Sequence, residues 1–292
     1  MPTLLVPIDF SPACENALRY ANKLALRLGA DIVLVQACPD AHLHPDRQDN
    51  ALHRLQALAE RLRYQRLTRQ NGRRINYHYH LSSEPLAEGL QVLVNGYQAE
   101  LVVAGLTLRD CAAPPPADEP LAQLPELVSC PVLLVPPGHH ELPARVALNA
   151  DFEHFDAARW LPRVAALTRA AGARFELVQF YAPDRREWPA AQKALQAAAA
   201  LLPAATPHLL PEDDILEDFS EFGEQHEAQL LVLATADGCL SRRFCHPTFR
   251  RTNAYHLRVP VLVLPTGRQP SAARCAQCGL LQAAVEPIAL SF

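Results

Sequence analysis

The sequence predicts an α/β protein of two tandem doubly wound domains, and three observations carry that expectation. Short, apolar, β-branched runs alternate with longer segments of helical period, which implies a parallel sheet with helices on both faces. The chain then repeats this plan a second time. Its 292 residues also give room for two domains of about 100–200 residues each.

The repeat is legible residue by residue. Thr-Leu-Leu-Val-Pro-Ile-Asp-Phe at 3–10 aligns with Arg-Val-Ala-Leu-Asn-Ala-Asp-Phe at 145–152, which sets Asp9 against Asp151. Gly-Ala-Asp-Ile-Val-Leu-Val-Gln from Gly29 matches Gly-Ala-Arg-Phe-Glu-Leu-Val-Gln from Gly172. Two later matches, Ala99 with Ala228 and Pro131 with Pro260, share an offset of 129 residues, so the segments between them are equal in length. The resulting division is a first domain over 1–138, a second over 139–267 and a tail over 268–292. The short Pro-rich junction Pro136-Pro-Gly-His-His-Glu-Leu-Pro143 holds the two copies close together.

In the first copy the reading places strands at 3–8, 31–37, 74–80, 100–104 and 131–135. Helices fall at 11–28, 48–70, 84–97 and 120–129. Ser11 is suited to cap the first helix, Pro12 to open it and Gly29 to end it. The second copy has strands at 145–150, 174–180, 206–210, 229–234 and 260–264. Its helices fall at 155–171, 189–202, 212–227 and 248–257, with a kink or a late start expected at Pro162.

Composition narrows the function classes. Hydrophobic residues make up 49% and charged residues 20%, a globular balance that excludes a disordered chain. A net charge of -4 argues against nucleic acid as a partner, since phosphate neutralisation shows as a basic excess. No apolar run reaches the roughly 18 residues of a membrane span, so no membrane partner is expected. With no leader visible and eight scattered cysteines, the expectation is a cytoplasmic protein with reduced thiols.

Leu-Val-Pro-Ile-Asp-Phe-Ser at 5–11, Leu-Gly-Ala at 28–30, Ile-Val-Leu-Val at 32–35 and Cys-Pro-Val-Leu-Leu-Val-Pro at 130–136 resemble the universal stress protein family. The resemblance covers nearly all of 1–266 as two copies. It implies an adenine nucleotide alpha hydrolase-like fold, strand order 3-2-1-4-5 in each domain, and self-association through strand 5 with a pseudo-twofold between domains. It also implies a ligand site at the switch point between strands 1 and 4. The positions concerned are Asp9, Val35 and Gly105 in the first copy, and Asp151, Val178, Ala234, Asp237, Gly238 and Thr248 in the second.

In ATP-binding members a loop of pattern G-x2-G-x9-G-[ST] follows strand 4. Its glycines let backbone N–H groups approach phosphate oxygens without a Cβ in the way. Here Gly105 fills the first position, but Leu108 takes the second and Asp118-Glu119 the final pair, with Pro114-Pro115-Pro116 between them. Prolines remove donors and the carboxylates repel a polyanion. In the second copy the positions are Ala234, Asp237 and Pro247-Thr248, with Gly238 displaced by one. Thr248 either caps a helix or, with Arg242, Arg243, Arg250 or Arg251, offers an anion site. Asp9 and Asp151 are either ligand groups or turn residues bonding nearby N–H groups.

Other constellations are weaker. Cys275 and Cys278 have metal or redox spacing without a second ligand pair, and His78 and His80 share a strand face without a third partner, so no metal is expected. No nucleophile elbow, Walker loop or zinc-protease helix is present, and no catalytic residue stands out. Residues 47–74 contain eight Arg, and 212–227 contain eight acidic residues. These are either two solvated helix faces or the complementary surfaces of a salt-sensitive oligomer. The leading expectation is a non-catalytic stress-response module that binds an unidentified regulatory protein and takes no cofactor. The alternative keeps ATP or AMP in the second domain, with weak ATPase activity.

Overall fold

The computed structural model describes residues 1–38, 45–64, 69–70, 73–105, 124–139, 141–168, 173–181, 188–202, 204–211, 215–234 and 259–265. Strand β1 is Thr3–Pro7, helix α1 Pro12–Leu28, β2 Asp31–Ala37 and α2 Pro45–Tyr64. A two-residue ribbon of β3 (Arg69–Gln70) and β4 (Arg73–Arg74) precedes β5 at Tyr77–Ser82. There follow α3 (Leu86–Gly96), β6 (Leu101–Gly105), α4 (Leu124–Leu127) and β7 (Val132–Val135). The second half runs β8 (Arg145–Ala150), α5 (Ala157–Ala166), β9 (Arg174–Tyr181), α6 (Trp188–Ala199), β10 (Ala205–Pro211), α7 (Ile215–Gln225), β11 (Leu230–Ala234) and β12 (Val261–Val263).

Ten of these strands form one sheet in the order β10-β9-β8-β11-β12-β7-β6-β1-β2-β5. Each half contributes five parallel strands in the order 3-2-1-4-5, counted within the half. At the centre β7 and β12 pair antiparallel, with Leu133 opposite Leu262, so the strands of the two halves point in opposite directions.

Buried strands explain the helical cover. Leu4, Val6, Ile32, Leu34, Leu101 and Val103 face α1 and α2, whereas Leu5, Val33, Val102 and Ala104 between them face α3 and α4. Both faces are apolar because both are covered, as parallel strands require. One core layer runs across both halves, joining Leu18, Leu55 and Leu133 to Leu148, Trp160 and Leu262. On the opposite face Phe219 and Phe222 of α7 pack against Val178, Leu231 and Val261.

The caps of α1 follow the sequence: Ser11 Oγ accepts the Cys14 N–H, Pro12 opens the helix, and Gly29 closes it at φ 68°. The stretch to residue 70 differs. Helix α2 is described to Tyr64, and Arg69–Gln70 pair with Arg73–Arg74 because Asn71-Gly72 is a strong two-residue hairpin signal. The third strand accordingly begins at Tyr77. Helix α5 starts at Ala157 behind an Asp156 cap and ends at Ala166, short of 171, and carries Pro162 within it. The segment 248–257, expected to be helical, and the tail 268–292 lie outside the described residues. Among the described residues no helix is long and apolar enough to cross a membrane.

Candidate functional site

In each half the switch point of the strand order lies between strands 1 and 4, at their carboxyl ends. Asp9 and Asp151 stand at this point, each just beyond the first strand of its half, and both are exposed.

Asp9 Oδ1 accepts the Ser11 N–H at 2.7 Å, so the carboxylate braces the turn into α1. Phe10, between them, adopts φ 63°, a conformation that favours glycine. Its ring packs on the core and lies 3.9 Å beneath the Arg54 guanidinium of α2. Arg61 of the same helix pairs with Glu15 at 2.6 Å. Two arginines of the basic segment are therefore committed within the chain.

Gly105 ends β6 directly against the first turn of α1. A Cβ there would overlap the Ala13 carbonyl and stand 2.9 Å from the Cys14 nitrogen. The bare backbone is thus required by the approach of a helix. Beside it, the buried Cys14 thiol donates to the Pro7 carbonyl at 3.0 Å, and burial pushes its pKa up to about 12. It is a neutral packed thiol at physiological pH.

The second half builds a larger polar cluster around Asp151. Its Oδ1 accepts the Glu153 N–H at 3.2 Å and the Gln179 amide at 3.4 Å. Its Oδ2 lies 2.7 Å from His154 Nδ1, with the two side chains 58% and 60% exposed. Gln179 also accepts the Phe152 N–H through Oε1 at 3.2 Å. Most of this carboxylate's hydrogen-bonding capacity is spent on its own loop and on the end of β9.

The remaining sequence-predicted positions divide cleanly. Val35 and Val178 are fully buried, the first against α3 and α4, the second against α7, so their side chains serve the core. Ala234 ends β11 opposite Ala150 and is buried. Asp237, Gly238 and Thr248 lie outside the described residues, as do Leu108, Pro114 to Pro116, Asp118 and Glu119. So do Cys275 and Cys278. His78 Nε2 lies 3.9 Å from Asp31 Oδ2, and His80 Nδ1 lies 3.2 Å from the Tyr97 hydroxyl.

A second cluster did not appear in the sequence reading. Glu176, His208 and His226 each bring one ligand-type atom within 4.8 Å of the other two, on the face of β9 and β10 that α7 covers. These residues are separated by 32 and 18 positions, on β9, on β10 and just after α7, so only the register of β9 with β10 and the placement of the end of α7 bring them together.

Residues 1–136 match the model of the Universal stress protein family. No curated protein matches the chain. Among solved structures, a universal stress protein from Archaeoglobus fulgidus DSM 4304 matches 91% of this chain and 98% of its own, at 14% identity and a TM-score of 0.62. A functionally unknown protein from Pseudomonas aeruginosa PAO1 matches 90% and 92%, at 14% identity and a TM-score of 0.57. A universal stress protein in complex with cAMP matches 46% of this chain at a TM-score of 0.36, a likeness that carries no argument. The first half therefore matches the universal stress protein family, and the chain over nine-tenths of its length has the mostly parallel, helix-flanked fold of its solved neighbours.

Proposed function

We propose that the chain is a tandem universal-stress-type protein that works as a non-catalytic regulatory module, with the phosphate grip lost from both halves. One observation carries this reading: at both switch points the carboxylate already bonds groups of its own half, Asp9 the Ser11 N–H of its turn and Asp151 Glu153, His154 and Gln179 of β9. Sequence supports it, since the segment after β6 offers three consecutive prolines and two acidic residues where a phosphate needs N–H donors. The surfaces offered to a partner are then helices rather than a pocket, the acidic α7 among them.

Calorimetric titration of the full chain with ATP, AMP and cAMP tests the reading. The expected result is no saturable heat with ATP. Micromolar ATP binding that disappears in Asp151→Ala would overturn it in favour of an adenosine pocket around Asp151, Val178, Ala234 and Thr248.

A further inference from the structure

We propose that Glu176, His208 and His226 form a binding site for a divalent transition metal of the zinc class on the outer part of the second half. Glu176 is the third residue of β9, His208 the fourth of β10, and His226 follows α7 directly. His208 Nε2 and Glu176 Oε2 are 2.7 Å apart, and one atom of His226 completes a triangle with no side above 4.8 Å. Tetrahedral zinc, with bonds of about 2.0–2.2 Å, wants its ligand atoms roughly 3.3 Å apart. The first pair opens slightly, and the third ligand closes in.

The imidazoles are prepared for this role. His226 Nδ1 lies 3.0 Å from the Phe222 carbonyl, which can only accept, so Nδ1 carries the proton and Nε2 keeps the lone pair. A backbone acceptor behind a metal-binding histidine has this same effect in metal centres. Phe222, itself buried, stacks on His226 at 3.8 Å and meets His208 edge-on at 4.9 Å, so both rings are positioned by one packed aromatic. His208 and Glu176 side chains remain 23% and 19% exposed, enough for an ion to enter. On coordination the ion takes the place of the proton between Nε2 and Oε2, and the His208 proton moves to Nδ1.

The first half serves as an internal control. There His80 stands opposite Val35 as His208 stands opposite Val178, and Tyr97 follows α3 as His226 follows α7. The place of Glu176 is held by Val33, buried in the core. The same architecture therefore holds together with a valine and a single histidine–tyrosine contact, and its second copy substitutes a carboxylate and an imidazole. Packing alone does not ask for that change.

Charge and chemistry agree on the ion. The last turn of α7 has no basic residue and its carboxyl end carries partial negative charge, which favours a cation beside His226. Two nitrogens and one carboxylate suit zinc and its transition-metal neighbours, whereas calcium and magnesium require oxygen donors throughout. Three protein ligands leave a fourth position for water. The site is also separate from the switch point: Glu176 lies beside Ala147, four residues or roughly 13 Å along β8 before Asp151.

Calorimetric titration of the metal-stripped full chain with zinc chloride, alongside cobalt absorption spectra, tests the proposal. Because the tail thiols can bind zinc themselves, Cys275→Ser/Cys278→Ser is the background. On it, one equivalent of zinc is expected, with cobalt d–d bands and no thiolate charge transfer. His208→Ala/His226→Ala should weaken binding at least about tenfold, while His80→Ala in the first half leaves it unchanged. Glu176→Gln keeps the shape and removes the charge, so it reports even if the double variant does not fold. Absence of zinc binding on the Cys275→Ser/Cys278→Ser background, or unchanged affinity in Glu176→Gln and the histidine variant, would overturn the proposal.

Discussion

A methyl group placed on Gly105 has nowhere to go, because the atoms it meets are the Ala13 carbonyl and the Cys14 nitrogen of a helix already seated on the sheet. Gly223 offers the contrast: there the nearest atom is Leu231 Cδ2 at 2.7 Å, the tip of a side chain that can turn aside. Gly105→Ala is therefore expected to cost about 1–3 kcal/mol through backbone displacement. Gly223→Ala, inside α7, should cost much less, because alanine recovers up to about 1 kcal/mol of helix propensity. Urea unfolding of the two variants measures the difference, and equal midpoints would show that α1 does not press on Gly105. Sequence alone offered Gly105 as a phosphate-loop position, since close approach to a ligand and close approach to a helix demand the same bare backbone. Only the placement of Ala13 distinguishes them.

Helix α5 is ten residues long with Pro162 in its sixth position, so it forfeits a backbone bond that its neighbours make. Its start is correspondingly dependent on Asp156, whose side chain accepts the Arg159 N–H at 3.0 Å. Asp156→Ala should lower stability by about 1 kcal/mol, the usual worth of such a cap, and far-ultraviolet circular dichroism through a thermal melt would read it. A melting curve identical to that of the native chain would mean that burial of Trp160, Leu161 and Val164 alone positions α5. Elements with an apolar period and a cap were legible in the sequence: β1, α1 with Ser11 and Gly29, and the strand pairs of the repeat all fall where alternation and capping put them. The Arg-rich stretch after Tyr64 was not, because arginine is a good helix former and its count outweighed the Asn71-Gly72 signal. The ligand cluster was illegible for a different reason. Its members share no local spacing, and a strand register is a property of two segments at once.

On the scale of the whole molecule, the antiparallel pairing of β7 with β12 turns two five-stranded sheets into one, and the core layer beneath it draws side chains from both halves. Trp160 of α5, only 4% exposed, sits over this seam, where it lines a hollow with Leu4, Leu101, Leu262 and Leu264. Arg159 and Arg163 lie 4.7 and 5.4 Å from its ring and shield it from solvent. Neither half can then expose its fifth strand without stripping the other of its neighbour, which leaves an unpaired apolar edge on each. Unfolding should consequently be a single transition of the full chain. Leu262, 1% exposed at the middle of β12, is the residue to test it, because truncation to alanine removes packing at the seam at a cost of about 2–5 kcal/mol. In native-state hydrogen exchange the protection of β1, in one half, and β8, in the other, should fall together and by similar amounts in Leu262→Ala. Loss of protection confined to β8, β11 and β12, with β1 and β2 untouched, would show instead that each half folds on its own and that the seam merely joins them.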